Sequence, residues 1–159
     1  MDIKSNLRVL MAFNGIKSLR ELGETADVTW KILKRLDENI NISKIRLGNV
    51  LKVAKALNSS LDQLILIPKK AKKYEKYNLR DTNLKSNLKI LMALNNINTQ
   101  EELIRLSGVS YSVISKIEKG EQVETIELHN LLKVCAVMGC SIDQLINIDY
   151  DYDIKNFSI

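Results

Sequence analysis

Two segments of the chain carry aromatic, hydroxyl and basic side chains on the open face of an apolar helical pattern. Because apolar residues recur at helical intervals in both segments, the positions between them point away from the core. Hydroxyl groups form hydrogen bonds, and lysine and arginine attract anions. These sets therefore suit binding rather than catalysis. One set is Trp30, Lys31, Lys34 and Arg35, and the other is Tyr111, Ser112, Ser115, Lys116 and Lys119.

The residue combinations typical of enzymes do not occur in the sequence. It contains no serine or cysteine arrangement paired with histidine, and no glycine loop of the phosphate-binding kind. Cys135, Cys140 and the single histidine, His129, supply too few ligands for a zinc site. We therefore expect a protein that is not an enzyme and that holds no metal or cofactor.

The composition predicts a helical protein that does not enter a membrane. Hydrophobic residues make up 45% of the 159 residues and charged residues 27%, with six glycines and one proline. No apolar run approaches the roughly 18 residues of a membrane span. Because the N-terminus also lacks the apolar stretch of a signal peptide, we expect a cytoplasmic location. Helix formers are abundant, so the expected fold class is all-α, without a need for strands.

An internal repeat is the strongest signal in the sequence. Residues 4–65 align without a gap with residues 85–146, and about a third of the aligned positions are identical. For example, Asp62-Gln63-Leu64-Ile65 matches Asp143-Gln144-Leu145-Ile146. The repeat predicts one domain at residues 1–66 and a second at 85–147. A basic, partly helical linker at 67–84 would join them, and an acidic tail at 148–159 would be either frayed or docked on the protein or a partner.

Capping signals and apolar spacing predict five short helices in each copy. The pairs Ser18 with Glu21 and Thr99 with Glu102 fit a capping box, in which a hydroxyl and a carboxylate each satisfy one free backbone amide. Ser60 with Gln63 and Ser141 with Gln144 repeat the pattern at the last helix. Leu51 and Leu132 share a helical stripe and the repeat register, so we expect both to lie in a core.

Residues 99–120 resemble the helix-turn-helix of the Cro and lambda-repressor family. A capped helix, the turn Gly108-Val109-Ser110 and a second helix ending in Glu118-Lys119-Gly120 occur in the family's order and spacing. The physical logic agrees, because Gly108 suits a turn that other residues disfavour, and Val109, Ile114 and Ile117 can fasten the second helix to the core.

The first copy resembles the same family with two substitutions. Asp27 replaces the turn glycine, and Asn39 follows the second helix where glycine is usual. Both residue types tolerate left-handed backbone geometry, so the fold should survive. The resemblance thus implies two tandem five-helix lambda-repressor-like DNA-binding domains joined by the basic linker.

The resemblance also implies a function, namely a sequence-specific regulator of transcription that binds double-stranded DNA and acts as a repressor. The helices at 29–38 and 110–119 would enter the major groove, and Gln100 would lie near phosphate. The alternative is a protein-interaction module in which one or both domains bind a protein partner or form a homodimer. The DNA-binding residues implied are Trp30, Lys31, Lys34, Arg35, Gln100, Tyr111, Ser112, Ser115, Lys116 and Lys119.

One position departs from the family pattern. Many members pair the glutamate found here at Glu118 with an arginine in the first helix, but the corresponding region reads Met92-Ala93-Leu94. We therefore expect Glu118 to have at most a structural role.

Charge is divided unevenly along the chain. Residues 1–66 carry 11 Lys and Arg against 7 Asp and Glu, and residues 67–84 carry 6 against 2. Residues 85–146 carry 6 against 7. Because phosphates attract cations whatever the base sequence, the first domain and the linker should supply most of the nonspecific DNA affinity. The slightly acidic second domain favours the protein-binding alternative for that half.

Overall fold

The computed structural model describes residues 3–66, 77–79, 84–147 and 150–152. These residues fall into two compact units, one within 1–45, 49–81 and 149–159, and the other within 46–48 and 82–148. Most of the predicted basic linker and acidic tail lies outside the described residues. No described helix is long and apolar enough to cross a membrane.

The first half of the chain forms five helices between two short strands. In chain order the elements are β1 (Lys4–Ser5), α1 (Leu7–Phe13), α2 (Leu19–Ala26), α3 (Trp30–Asp37), a 3-10 turn (Ile42–Lys44), α4 (Leu47–Ala56), α5 (Leu61–Leu64) and β2 (Ile65–Leu66). A third strand, β3 (Tyr77–Leu79), follows.

The second half repeats this order of elements. They are β4 (Lys85–Ser86), α6 (Leu88–Leu94), α7 (Gln100–Ser107), α8 (Tyr111–Lys119), a 3-10 turn (Val123–Thr125), α9 (Leu128–Met138), α10 (Ile142–Leu145), β5 (Ile146–Asn147) and β6 (Tyr150–Tyr152). The described part of each half thus contains five α-helices, and the predicted all-α class is confirmed.

The expectation that strands are not needed was wrong in detail. Two-residue antiparallel ladders join the two ends of each helical set, with Lys4 opposite Leu66 and Lys85 opposite Asn147. A third ladder pairs β3 with β6. Residues 77–79 of the predicted linker are therefore strand rather than helix, and residues 150–152 of the tail pair with them. These pairs are too short to leave an alternating pattern in the sequence.

The cap of the last helix forms in both halves as predicted. The Ser60 hydroxyl accepts a hydrogen bond from the Gln63 backbone N–H at 3.2 Å, and the Gln63 side-chain oxygen accepts one from the Ser60 N–H at 3.0 Å. Ser141 and Gln144 make the same two bonds. Helices α5 and α10 therefore each begin at a fixed residue, although each has only four residues.

The capping boxes predicted at α2 and α7 are only half correct. The Ser18 and Thr99 hydroxyls accept from the third residue of their helices, as expected. The Glu21 carboxylate, however, accepts from the Lys17 N–H at 2.9 Å rather than from Ser18, and Glu102 likewise accepts from Asn98 at 3.2 Å. Each glutamate therefore holds the residue before the cap, which fixes the direction in which the chain enters the helix.

Leu132 is buried as predicted, but the prediction for Leu51 was wrong. Leu132 on α9 is 4% exposed, whereas Leu51 on α4 is only half-buried. Both residues lie at the edge of their helix's apolar stripe, where burial depends on what the neighbouring elements cover. The fully buried stripe of α4 consists of Leu47, Val50, Val53 and Ala54, and Leu57, which directly follows the helix, is also fully buried.

Candidate nucleic-acid interface

The turn between α7 and α8 has the geometry that its sequence predicts. Gly108 ends α7 in the left-handed conformation, with φ +66° and ψ 17°, and Ser110 then takes extended geometry just before α8. Val109 is buried within the turn. Ile114 and Ile117 are fully buried as well. These three apolar side chains fix α8 against the second core, so its opposite face is held open.

Gly120 ends α8 in a place that only glycine fits. Its φ is +68°, and a Cβ atom built on it would lie 2.8 Å from the backbone oxygen of Leu84. Two features therefore exclude a side chain at this position: the left-handed backbone, and the close approach of Leu84, the residue directly before β4. The end of α8 is thus anchored next to β4.

The open face of α8 forms one shallow depression of about 380 Å³. Tyr111, Ser112 and Lys119 are exposed, and Ser115 and Lys116 are half-buried. The structure brings together the five α8 residues that the sequence indicated. It also adds two that sequence reasoning missed, Glu121 and Gln122, which directly follow Gly120 and complete the lining. Their position just beyond the helix-ending glycine is the signal that could have found them.

Lys116 is held by its own domain. Its Nζ donates to the Thr125 hydroxyl at 3.2 Å, and that hydroxyl in turn donates to the Gln122 carbonyl at 2.6 Å. An ammonium group has three N–H donors, so Lys116 keeps donors for a further acceptor. The contact positions the ammonium at one side of the depression.

Glu118 contacts the first and second helices of its half, although the region Met92–Leu94 supplies no arginine. The Lys89 ammonium on α6 lies 3.6 Å from the Glu118 carboxylate, which is only 24% exposed. The other carboxylate oxygen accepts a hydrogen bond from the Gln100 amide. Lys89 precedes the region Met92–Leu94, which corresponds to the position of the family's arginine. Gln100, predicted to lie near phosphate, thus has its amide nitrogen engaged with Glu118.

The first half has the same helix–turn–helix outline with aspartate at the turn. Asp27 takes the left-handed conformation, with φ 52° and ψ 51°. The Lys52 ammonium donates hydrogen bonds to the backbone oxygen of Asp27 at 3.2 Å and to the Asp27 carboxylate at 3.1 Å. Asn39 is also left-handed, with φ 57°. Aspartate and asparagine therefore tolerate the geometry as expected.

Arg8 and Asp37 occupy the positions in the first half that Lys89 and Glu118 occupy in the second. The guanidinium donates two parallel hydrogen bonds to the Asp37 carboxylate, one of them at 2.7 Å. This contact raises the pKa of Arg8 above its ordinary value. Both α3 and α8 are therefore tied near their C-terminal ends to the first helix of their half by an ion pair.

The exposed face of α3 is more basic than that of α8. Trp30, Lys31 and Lys34 are exposed, and Arg35 is half-buried. Lys34 pairs with Glu38 at 3.7 Å, and Arg35 donates to the backbone oxygen of Asn41. Lys31 therefore shows no such contact within the described chain, while Arg35 is directed toward the loop that follows its own helix. The helix itself covers Trp30–Asp37, shorter than the predicted 29–38 by one residue at each end.

A comparison with known protein families gives a match, which lies in the second half of the chain. Residues 87–151 match the Cro/C1-type HTH DNA-binding domain, a match that covers less than half of the 159 residues. Neither curated proteins nor solved structures give a match. The matched segment begins just before α6, ends within β6 and contains the whole depression on α8. Residues 87–151 are therefore similar in sequence to a Cro/C1-type helix-turn-helix DNA-binding domain.

Proposed function

We propose that this protein is a sequence-specific regulator of transcription that binds double-stranded DNA and represses by occupying its site. The observation that carries the proposal is the face of α8. Its five polar, basic and aromatic residues line one depression, on a segment that matches a DNA-binding domain. In a helix-turn-helix, the N-terminal residues of the second helix contact base edges.

The residues of α8 divide into two roles in this proposal. Tyr111 and Ser112, in the first turn, face base edges, and Ser115 extends the same row. Lys116 and Lys119, near the C-terminal end, bind phosphate or guanine. The contact from Gln100 to Glu118, together with the buried Ile114 and Ile117, keeps the helix in place before DNA arrives.

We propose that α3 is a second recognition helix. The order of elements around it is that of the second half, and the pair Arg8 with Asp37 holds it as Lys89 and Glu118 hold α8. Lys31 and Lys34 are exposed on its face. The tandem arrangement therefore supplies one polar face on α8 and one basic face on α3, joined through residues 67–84.

A salt titration tests the DNA-binding proposal. The intact chain is titrated into random duplex DNA at several salt concentrations, and then into a duplex selected from a random pool. We expect the logarithm of the binding constant to fall linearly with the logarithm of salt, because cations on the duplex are released. We also expect selection to enrich one sequence. Affinity that is insensitive to salt, or a pool that stays random, would overturn the proposal.

A second candidate, binding of a protein partner or a second copy, is favoured by one specific observation. Equivalent apolar pairs are exposed on the first helix of each half, Val9 with Phe13 on α1 and Ile90 with Leu94 on α6. Exposed apolar pairs at a spacing of four residues suit a helix that packs on another surface. Light scattering of the free chain tests self-association, and Leu94→Glu should abolish any dimer that uses this face.

A further inference from the structure

Each of the two exposed faces begins with a large aromatic residue that is mostly in solvent. Trp30 is the first residue of α3 and is 58% exposed, and Tyr111 is the first residue of α8 and is 63% exposed. The two occupy the same position of the internal repeat. Trp30 is also the one tryptophan of the chain. Tryptophan is on average highly buried and tyrosine intermediate, so exposure of both at the same repeat position suggests a partner surface.

The helix geometry directs both rings out beyond the start of the helix. In an α-helix the bond from Cα to Cβ tilts toward the N-terminus, so a side chain at the first position projects past the helix end. The cap residues Thr29 and Ser110 take extended backbone geometry, so the chain turns away at that point. When such a helix enters the major groove, its first side chains lie against base edges.

The chemistry common to the two rings selects one group in the groove. The indole has only an N–H donor, whereas the phenol can both donate and accept, so the shared feature is a flat apolar surface. The apolar group that base pairs present in the major groove is the C5-methyl of thymine. An apolar contact with this methyl distinguishes thymine from the other three bases.

We propose that Trp30 and Tyr111 each recognise the C5-methyl group of a thymine, one in each half of the binding site. This inference rests on the proposed DNA binding by α3 and α8. It adds that each helix requires a thymine in the base pair that its first residue contacts. Because the two helices belong to one chain, two separate thymines in one binding site should each contribute to the affinity for DNA.

Removing single methyl groups from the DNA tests the inference. The intact chain is used to select a duplex from a random pool, and each thymine of that duplex is then replaced in turn by deoxyuridine, which lacks only the methyl. Binding is measured for the parent chain, Trp30→Ala, Tyr111→Ala and Tyr111→Phe. The matched control is Ile40→Ala, an exposed apolar residue beyond the C-terminal end of α3.

We expect two thymines at which loss of the methyl weakens binding by the parent chain about fourfold each, equivalent to ~0.8 kcal/mol for one buried methyl group. One of these penalties should vanish in Trp30→Ala and the other in Tyr111→Ala. Tyr111→Phe should retain the second penalty because it keeps the ring, and Ile40→Ala should retain both. Because both aromatic side chains are largely exposed, the alanine variants should keep the folded core.

The outcomes separate this inference from the proposal on which it rests. If the chain binds DNA with steep salt dependence and enriches a sequence, but no deoxyuridine position matters, the methyl contacts are wrong while DNA binding stands. Penalties that persist unchanged in both alanine variants would also overturn the inference, since another residue then contacts the methyls. If no salt-dependent binding occurs, the proposed function fails first and the inference fails with it.

Discussion

The guanidinium of Arg8 makes two parallel hydrogen bonds to the carboxylate of Asp37, so the first helix of the chain holds the last residue of α3. In the second half a lysine and a glutamine share this task, and Lys89 lies 3.6 Å from Glu118. A planar guanidinium matches a carboxylate in a way that a single ammonium cannot. We therefore expect α3 and α8 to be held with different stiffness at these equivalent positions.

A double-mutant cycle measures this difference. We expect Arg8→Met and Asp37→Asn to couple by about 1 kcal/mol in the free energy of unfolding, the upper end for exposed pairs. Lys89→Met with Glu118→Gln should couple less, because the ammonium lies 3.6 Å from the carboxylate, beyond hydrogen-bond distance. Urea unfolding of the seven proteins, namely the parent, four single variants and two double variants, provides the values. Equal coupling in the two halves would contradict the role given to the guanidinium.

The pH dependence of the Arg8 contact follows from the direction of its pKa shift. The Arg8 pKa is raised by Asp37, so the guanidinium's contribution is present below the ordinary arginine pKa and is lost only as pH rises through the folded value. Raising the pH from neutral toward that value should therefore leave the coupling unchanged. High salt should weaken it, because Arg8 is largely exposed.

Two leucines at equivalent positions should respond differently to truncation. Leu132→Ala removes a buried side chain and should cost about 2 to 5 kcal/mol of unfolding free energy. Leu51→Ala removes a half-buried side chain, so we expect a clearly smaller loss. Urea denaturation compares the two directly. A loss at Leu51 as large as that at Leu132 would show that α4 is packed more tightly than its exposure indicates.

Two glycines around α8 should also differ. Both have positive φ, but a Cβ at Gly108 meets no atom within 4 Å, whereas one at Gly120 meets the Leu84 oxygen at 2.8 Å. Gly108→Ala should therefore cost about 1 to 2 kcal/mol from backbone strain alone. Gly120→Ala should cost more, because β4 or the end of α8 must also move. Thermal unfolding compares the stability of the two variants. Equal losses of stability would contradict the steric conflict expected at Gly120.

The cations of α3 should appear in the salt dependence of DNA binding. Lys31→Ala and Lys34→Ala should each reduce the slope of log K against log salt by about 0.9 if the side chain neutralises one phosphate. Lys133→Ala on α9 serves as the charge-matched control outside the helix-turn-helix. Arg35→Ala should in addition lower stability, since Arg35 bonds to the Asn41 backbone. Slopes identical to that of the parent chain would exclude α3 from the interface.

The stoichiometry of the DNA complex tests whether one chain acts as a linked pair of domains. Lys31 and Lys34 on α3 correspond to Ser112 and Ser115 on α8, so the two halves of the site should differ in sequence at the base pairs that these residues face. The 18 residues from 67 to 84 can extend to roughly 60 Å, enough to connect half-sites about 34 Å apart. Light scattering should show one chain on an asymmetric duplex. Two chains on a palindrome would favour dimerisation instead.

Local signals predicted the fold well, and long-range contacts were harder to predict. The serine caps, Gly108 and the apolar positions Ile114 and Ile117 act within one or two turns, so the sequence shows them directly. The partner of Glu118 depends instead on how α6 crosses α8. The burial of Leu51 depends on the elements around α4. Neither relationship leaves a periodic signature, and the lining by Glu121 and Gln122 arises only once the chain turns after Gly120.

The two-residue ladders bring the start and the end of each five-helix set next to each other. Lys4 lies opposite Leu66, and Lys85 lies opposite Asn147, so the ends of each set are separated by one strand spacing, about 4.8 Å. A gene duplication can append such a closed set to another without breaking a contact inside either. The same closure makes each set a good subject for circular permutation, with old ends joined and new ones opened in a surface loop.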